Sequence, residues 1–210
     1  MRTRDRILET SLDLFNDEGE TEQTAVDIAN ALDISPGNLY YHFKGKDAII
    51  RALFDNFETE MKTILRGSRG RIASLEDNWV YTYIILEEIY DFRFFFRALS
   101  VLLDRYPDLA TRFRALLAEM RNTIEDVLDG LQSADLIEID PRLRDPLIDQ
   151  LISTMVFWLS RSALTQSDAD ERTLIHRTVF EAMALVVPYM DDAGIDALSS
   201  LVDHYEKVIK

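Results

Sequence analysis

The chain has 210 residues, of which 47% are hydrophobic, so it can bury the core of one large domain or two small ones. It contains no cysteine, which excludes disulfides and thiolate chemistry, and its formal net charge of −15 argues against strong non-specific binding to nucleic acid. Its start passes directly into a charged helix, and no apolar run approaches the roughly 20 residues of a membrane span. We therefore expect a cytoplasmic protein with no signal peptide and no membrane contact.

The first predicted helix extends from Thr3 to Asn16, and Gly19 ends it. Residues 24–46, TAVDIANALDISPGNLYYHFKGK, then predict two short helices joined by a tight turn. Thr24 begins the first of them as an N-cap, with Asp27 completing a capping box. This segment is therefore a helical hairpin with a defined beginning.

The turn and the second helix of this hairpin have equally specific signals. Asp33 follows the first helix, at a position that favours left-handed backbone geometry, which Asp tolerates better than most residues. Ser35 is a hydroxyl N-cap for the second helix, and Pro36 occupies its first position, where the missing N–H costs nothing. The caps and the turn residue therefore all predict the same conformation, two short helices joined by a tight turn.

The second helix predicts an outward face that suits a DNA groove. On a helical wheel Leu39 and Phe43 point inward, whereas Gly37, Asn38 and Tyr41 point outward. An amide can read a base edge, a phenol can contact a thymine methyl group or a phosphate, and glycine allows close approach of the helix N-terminus. The alternative, a helical hairpin of another small domain, does not explain why caps, turn and outward face agree.

The segment ISPGNLYYHFKGKDAII, preceded by TAVDIANALD and RDRILETSLDLFNDEG, resembles the DNA-binding domain of the TetR/AcrR family of bacterial repressors. This resemblance covers about the first quarter of the chain. It implies an all-α homodimer in which residues 1–46 form a helix-turn-helix DNA-binding domain and residues 47–210 form a helical effector-binding and dimerisation domain. In that family, binding of a small molecule releases the protein from its double-stranded DNA operator. The implied DNA contacts, with the N-cap included, are Ser35, Pro36, Gly37, Asn38, Tyr40, Tyr41, His42 and Lys46.

The chain departs from the family pattern at three positions. Ala25 and Val26 stand where many relatives have a Thr and an Arg that reach DNA, and Asp33 stands where Gly is usual. We therefore expect few base contacts from the first helix of the pair. Residues 1–52 contain six Lys or Arg against ten Asp or Glu, a net of −4. The basic residues, which predict a local rim facing DNA, are Arg2, Arg4, Arg6, Lys44, Lys46 and Arg51, with Lys44 and Lys46 as phosphate contacts.

Residues 47–67 form a long segment with helical apolar periodicity, and residues 66–71, RGSRGR, predict a solvated linker after it. Because the long helix begins beside Lys46 and ends in the second domain, we expect it to act as a lever between them. A further helix is expected from Ser74 to Asp91, and Pro107 begins another that extends to about Leu131.

Aromatic side chains are concentrated between these two helices. Four phenylalanines fall between Phe92 and Phe96, and one side of a helix cannot bury them all. We therefore expect a cavity and a hydrophobic effector that is neutral or cationic, because carboxylates outnumber basic residues on the preceding helix. The expected lining residues are Trp79, Tyr83, Phe92, Phe95, Phe96, Phe113, Met155 and Trp158.

The helices expected over residues 147–164 and 174–190 are apolar on nearly every side, so each needs cover on every side. A second copy of the same two helices would supply that cover, as it does in the resembling family, and would give a homodimer. A final amphipathic helix is expected over about residues 196–208.

The sequence shows no pattern of catalytic or metal-binding residues. The three histidines, His42, His176 and His204, lack metal-ligand spacing, and there is no phosphate-binding glycine loop and no nucleophile motif. We therefore expect no enzyme activity, no cofactor and no metal. Two alternatives remain open: a helical enzyme using carboxylates such as Glu87, Glu88 or Glu119, and a DNA-binding dimeric regulator without an effector.

Overall fold

The computed structural model describes residues 2–67, 74–165 and 170–209, with side chains up to residue 205. Regular structure in these residues is helical, apart from one isolated bridge between Ile137 and Met190. Most of the linker expected over residues 66–71 lies outside the described residues. The helices are α1 Thr3–Glu18, α2 Ala25–Ala31, α3 Pro36–His42, α4 Lys46–Gly67, α5 Leu75–Asp91, α6 Arg93–Arg97, α7 Leu99–Arg105, α8 Pro107–Ser133, α9 Pro141–Leu164, α10 Glu171–Ala184 and α11 Asp192–Ile209.

Helices α1 to α3 pack around a small apolar core at the N-terminus. Ile7 and Phe15 of α1, Ile28 of α2 and Leu39 of α3 are each at most 1% exposed. Helix α1 ends two residues later than predicted, at Glu18, because the N–H of Gly19 still donates to the carbonyl of Phe15 at 3.1 Å. The three helices thus form a compact unit, and α4 leads out of it.

Helix α4 has 22 residues, equivalent to about 33 Å, and joins this unit to the rest of the chain. One face is buried along its whole length, from Ile49 near the start to Leu65 near the end. It packs against α1 at one end and against α5 and α8 further along. Helix α4 therefore connects the N-terminal helices to the second domain directly.

The phenylalanine cluster forms the junction of α5, α6 and α8 with α4. Phe95 lies 5.2 Å from Phe54 of α4, and Phe96 lies 5.3 Å from Phe57, measured between ring centroids. Phe113 of α8 contacts both Phe95 and Phe96. The rings pack on one another and on the middle of α4, so the cluster is a closed core, not the wall of a cavity.

Helix boundaries in the C-terminal half differ from the predicted ones. Helix α9 begins at Pro141, not at residue 147, because Asp140 caps it and Pro146 is accommodated inside the helix. Helix α10 ends at Ala184, where a 3₁₀ turn, Val187–Tyr189, containing Pro188 takes over. Helix α11 begins at Asp192, four residues earlier than expected.

The apolar character of α9 and α10 is divided between a buried and an exposed face. Trp158 and Met155 of α9 are buried in the protein's own core, whereas Phe157 is 54% exposed. Phe180 of α10 is 42% exposed. Arg161, one turn beyond Phe157, pairs with Glu181, beside Phe180, so the two exposed rings flank one link between neighbouring helices. Within the described residues, no helix has the length and apolarity that crossing a bilayer requires.

Candidate nucleic-acid interface

Helix α2 begins with the predicted capping box. The backbone N–H of Thr24 donates to Asp27 Oδ2 at 2.9 Å, and the N–H of Asp27 donates to Thr24 Oγ1 at 3.2 Å. The Thr24 hydroxyl also donates to the same carboxylate at 2.6 Å. These hydrogen bonds from Thr24 lower the pKa of Asp27. The carboxylate therefore stays ionised near the positive end of the helix dipole, where a negative charge is stabilising.

The turn between α2 and α3 has the hydrogen-bond pattern of a Schellman motif. Ile34 N–H donates to the carbonyl of Ala29, and Asp33 N–H donates to that of Asn30, both at 3.0 Å. Asp33 has φ 54°, the left-handed geometry for which Gly is usual. Aspartate thus adopts the left-handed geometry that was predicted for it.

Helix α3 is fixed by its own cap and presents its polar side to solvent. The N–H of Asn38 donates to Ser35 Oγ at 3.1 Å, and Pro36 is the first helical residue. Leu39 and Phe43 are buried, as the helical wheel predicted, whereas Tyr41 is 79% exposed. The structure brings the expected contact residues together on or beside this outward face, which consists of Ser35, Pro36, Gly37, Asn38, Tyr40 and Tyr41, with His42 partly exposed at its end.

Two cations support this face from the side. The guanidinium of Arg4 lies over the ring of Phe43, 5.0 Å from its centroid, which holds the start of α1 beside the end of α3. Lys44 Nζ donates to the carbonyl of Tyr40 at 3.1 Å and so caps α3. Both side chains are exposed at this edge of the α2–α3 unit, and both cations can approach a phosphate.

Lys46 has a partner that the sequence did not indicate. Its Nζ donates to the backbone carbonyl of Glu20 at 2.8 Å and lies 3.0 Å from Glu20 Oε1. Glu20 is buried, although it falls within the acidic stretch that follows α1. A phosphate contact by Lys46 would therefore compete with this ion pair. The expected phosphate role of Lys46 stays a prediction.

The eight residues expected to line an effector pocket do not surround one cavity. Besides the phenylalanine cluster, Trp79 stacks on Tyr205 with ring centroids 4.8 Å apart, Tyr83 lies 4.7 Å from His176, and Trp158 stacks on Tyr90. These rings cover each other's faces. The expectation that the aromatic excess encloses a cavity is therefore corrected: the cluster is packed core.

A separate cavity of about 50 Å³ lies between α4, α5, α8, α9 and α10, and Met155 is the one expected residue that lines it. Three methionines, Met120, Met155 and Met183, form part of its wall, and no charged side chain contributes to it. Its polar groups belong mainly to Asn78, Thr82 and Thr123. No sequence pattern indicated this cavity, because its lining residues come mainly from five helices that are distant along the chain.

The carboxylates considered for an enzyme lie on or near the surface of α5 and α8. Burial, together with the nearby carboxylates of Asp91, Glu60 and Glu87, raises the pKa of Glu88 to about 7. Glu119 lies 3.8 Å from the ammonium group of Lys62. The groups that act on Glu88 are thus further acids, and no nucleophile is among them, so this arrangement does not support a catalytic site.

Comparison with known proteins identifies the family to which this arrangement belongs. Residues 7–53 match the family described as bacterial regulatory proteins of the tetR family, and residues 56–198 match the one described as a bacterial transcriptional repressor, TetR. This chain belongs to the TetR family of bacterial transcriptional regulators. Proteins of the TetR family bind DNA through an N-terminal helix-turn-helix and typically form homodimers.

Individual relatives support this assignment over nearly the whole chain. A TetR-family transcriptional regulator from Marinobacter aquaeolei VT8 has 32% sequence identity and a TM-score of 0.88, with 98% of this chain and 99% of that chain covered. IcaR of Staphylococcus epidermidis, a negative transcriptional regulator of the biofilm operon icaADBC, is 22% identical over 78% of this chain and 85% of its own. SmeT, the repressor of a multidrug efflux pump of Stenotrophomonas maltophilia, shares the fold, with 18% identity, a TM-score of 0.64, and 92% and 93% of the two chains covered.

Proposed function

We propose that this TetR-family protein is a repressor that binds an inverted-repeat operator as a homodimer and is released by a small apolar effector. The observation that supports DNA reading most directly is the outward face of α3. It exposes an amide and two phenols on a helix whose opposite side is buried. Amides and phenols can contact base edges and phosphates in a major groove, and capping by Ser35 holds the helix ready to enter it.

The exposed face of α9 and α10 supports the dimer. Phe157 and Phe180 are large, half-exposed apolar side chains on adjacent helices, and exposed apolar patches of this kind mark protein interfaces. A twofold axis would bring the same two rings of each copy together and bury them. Two recognition helices would then contact half-sites about 34–36 Å apart, or a multiple of that distance if two dimers bind.

Selection of genomic DNA fragments with the purified protein tests this function. We expect enriched fragments to share an inverted repeat, and we expect a competitive gel shift to show sequence-specific binding at physiological salt. Enrichment without any shared sequence would contradict the proposal. The genes beside the selected sites would then indicate which process is regulated.

The cavity between α4, α5, α8, α9 and α10 is the proposed effector site. At about 50 Å³ it is far smaller than the several hundred cubic ångströms of a pocket for a drug-sized ligand, so an effector must enlarge it. Its methionine side chains are flexible and can rearrange. Leu65 of α4 lies in the wall of this cavity. A ligand that widens the cavity would therefore push on α4, which leads to the DNA-binding unit formed by helices α1–α3.

A screen of neutral apolar compounds by thermal shift, with hits retested in the gel shift, tests the effector site. A true effector should weaken operator binding by about 5- to 150-fold, and operator should weaken its binding by the same factor. Ala182→Leu, which fills the cavity, should abolish the response, whereas Ala110→Leu, at another buried alanine, should not. If stabilising compounds leave operator affinity unchanged, the protein is a regulator without this effector response.

A further inference from the structure

An ion pair between Glu20, which is buried, and Arg105, which is partly exposed, joins helices α1–α3, the DNA-binding unit, to the second domain. Glu20 lies in the 3₁₀ turn Glu20–Glu22 between α1 and α2, and its side chain is 3% exposed. Lys46 Nζ lies 3.0 Å from Glu20 Oε1. Arg105 Nη1 donates to Oε1 at 2.9 Å and to Oε2 at 3.1 Å. Because Arg105 is the last residue of α7, the pair connects the two parts of the molecule.

The energetics of this pair depend on Glu20. An ionised carboxylate removed from water is costly unless cations and hydrogen bonds compensate it, and loss of one partner of a buried pair costs far more than loss of a surface pair. Arg105 is 41% exposed and would be well solvated without Glu20. The orientation of the DNA-binding unit that keeps Glu20 next to Arg105 is therefore favoured over orientations that separate them.

The residues after Arg105 extend the same contact to the start of α4. The Tyr106 hydroxyl donates to Asp47 Oδ1 at 2.7 Å, and Arg51 Nε lies 2.9 Å from Asp108 Oδ2. The α7–α8 junction therefore holds the 3₁₀ turn and the first turn of α4 at the same time.

A second contact, at Asn16, lies at the α5–α6 junction. Asn16 Nδ2 donates to the carbonyl of Asp91 at 2.8 Å, and Asn16 Oδ1 accepts from the N–H of Phe94 at 3.0 Å. Asn16 is buried and both of its partners are backbone groups, so this contact anchors α1 to the α5–α6 junction. The Asn16 hydrogen bonds and the Glu20 ion pair therefore attach helices α1–α3 to the second domain at two separate places, and together they restrain the angle of the DNA-binding unit.

We propose that Arg105 is a positioning residue for operator recognition: its ion pair with Glu20 sets the angle of α1–α3 on the second domain and hence the half-site spacing that the dimer accepts. This inference rests on the proposed operator-binding function. In a twofold dimer, the angle of each DNA-binding unit fixes the separation of the two recognition helices. A shift of one base pair moves a half-site by about 3.4 Å and rotates it by about 34°. A less constrained unit should therefore tolerate shifted half-sites better.

The test compares the full-length proteins on a series of operators in which the spacing between half-sites is changed by one or two base pairs. For the wild type we expect one preferred spacing. In Arg105→Gln, discrimination against a one-base-pair shift should fall by about 5-fold or more. We expect the salt dependence of binding to be unchanged, because Arg105 is not among the expected phosphate contacts. Arg142→Gln removes the same charge from an exposed pair with Asp140 and should match the wild type.

Two further variants separate positioning from simple destabilisation. Glu20→Gln should relax the spacing preference at least as much as Arg105→Gln does, because it removes the pair with Arg105 and also the pair with Lys46. Adding Arg105→Gln to Glu20→Gln should have little further effect on spacing, because the Arg105 pair is already lost. Arg105→Lys keeps a cation and should restore part of the preference. An unchanged spacing profile in Arg105→Gln or in Glu20→Gln would overturn the inference. If the wild type itself shows no preferred spacing or no specific site, the proposed function fails instead.

Discussion

Helix α3 and the α9–α10 face both expose aromatic side chains, but they differ in what surrounds the rings. On α3 the exposed rings are phenols, Tyr40 and Tyr41, next to the amide of Asn38. On α9 and α10 they are the phenyl rings of Phe157 and Phe180, which have no polar atom. A phenol can remain hydrated or hydrogen-bond to a polar partner, whereas an exposed phenyl group gains free energy chiefly by leaving water.

The comparison shows that exposure of an aromatic residue does not by itself identify the partner. The residues that surround the exposed ring indicate which kind of partner it suits. Around Tyr41 the helix is short, locally capped and edged by the cations of Arg4 and Lys44, which suits a polyanion. Near Phe157, Arg161 pairs with Glu181, which also pairs with Arg177, and an apolar ring beside charges that are already engaged suits a second protein surface with the same character.

The largest expected effect comes from charging the apolar face. Phe157→Glu should dissociate the dimer at micromolar concentration, because twofold symmetry places the new carboxylate twice in one interface. Operator affinity should then fall by about 100-fold or more, since only one half-site can be engaged at a time. Sedimentation gives the mass and a gel shift gives the affinity.

Val101→Glu is the matched control for this variant. Val101 is a similarly exposed apolar residue on α7, a helix that packs on α6 and α8, and this variant should remain dimeric with normal operator binding. A Phe157→Glu protein that stays a folded dimer would show that the α9–α10 face is not the interface.

A smaller effect is expected from truncating the α3 face. Asn38→Ala or Tyr41→Ala should each cost about 1–3 kcal/mol at preferred operators and relax base preference at the contacted position. Neither variant should change the sedimenting mass, because α3 lies apart from the apolar face. Reselection of DNA with each variant gives the base preference, and an unchanged preference for both would remove α3 from the groove.

The smallest effect is expected at the cap of α3. Ser35→Ala removes the hydrogen bond from Asn38 N–H and should lower the free energy of unfolding by about 1 kcal/mol, equivalent to about 2–4 °C in Tm for a chain of this size. Ser199→Ala, whose hydroxyl bonds only within α11, should be neutral or slightly stabilising, since Ala is the better helix former. Equal melting temperatures for both variants would mean that α3 does not depend on its cap.

The sequence by itself determined the caps and the turn of the helix-turn-helix. The capping box at Thr24, the left-handed Asp33 and the Ser35 cap were all predicted correctly, as was the burial of Leu39 and Phe43 opposite Tyr41. These features are local: each cap or turn is closed by residues within five positions of one another. Residue type and spacing therefore suffice to predict them.

Only the tertiary structure decided the features that join distant segments. Glu20 belongs to a run of acids that looks solvent-exposed in sequence, yet it is buried against Arg105, which lies 85 positions away. The phenylalanines around Phe95 appeared too numerous for one core, but the middle of α4 covers them with Phe54 and Phe57. Such packing depends on which helices meet and at what angle. Periodicity along one helix cannot supply that information, because it defines a buried face without defining what covers it.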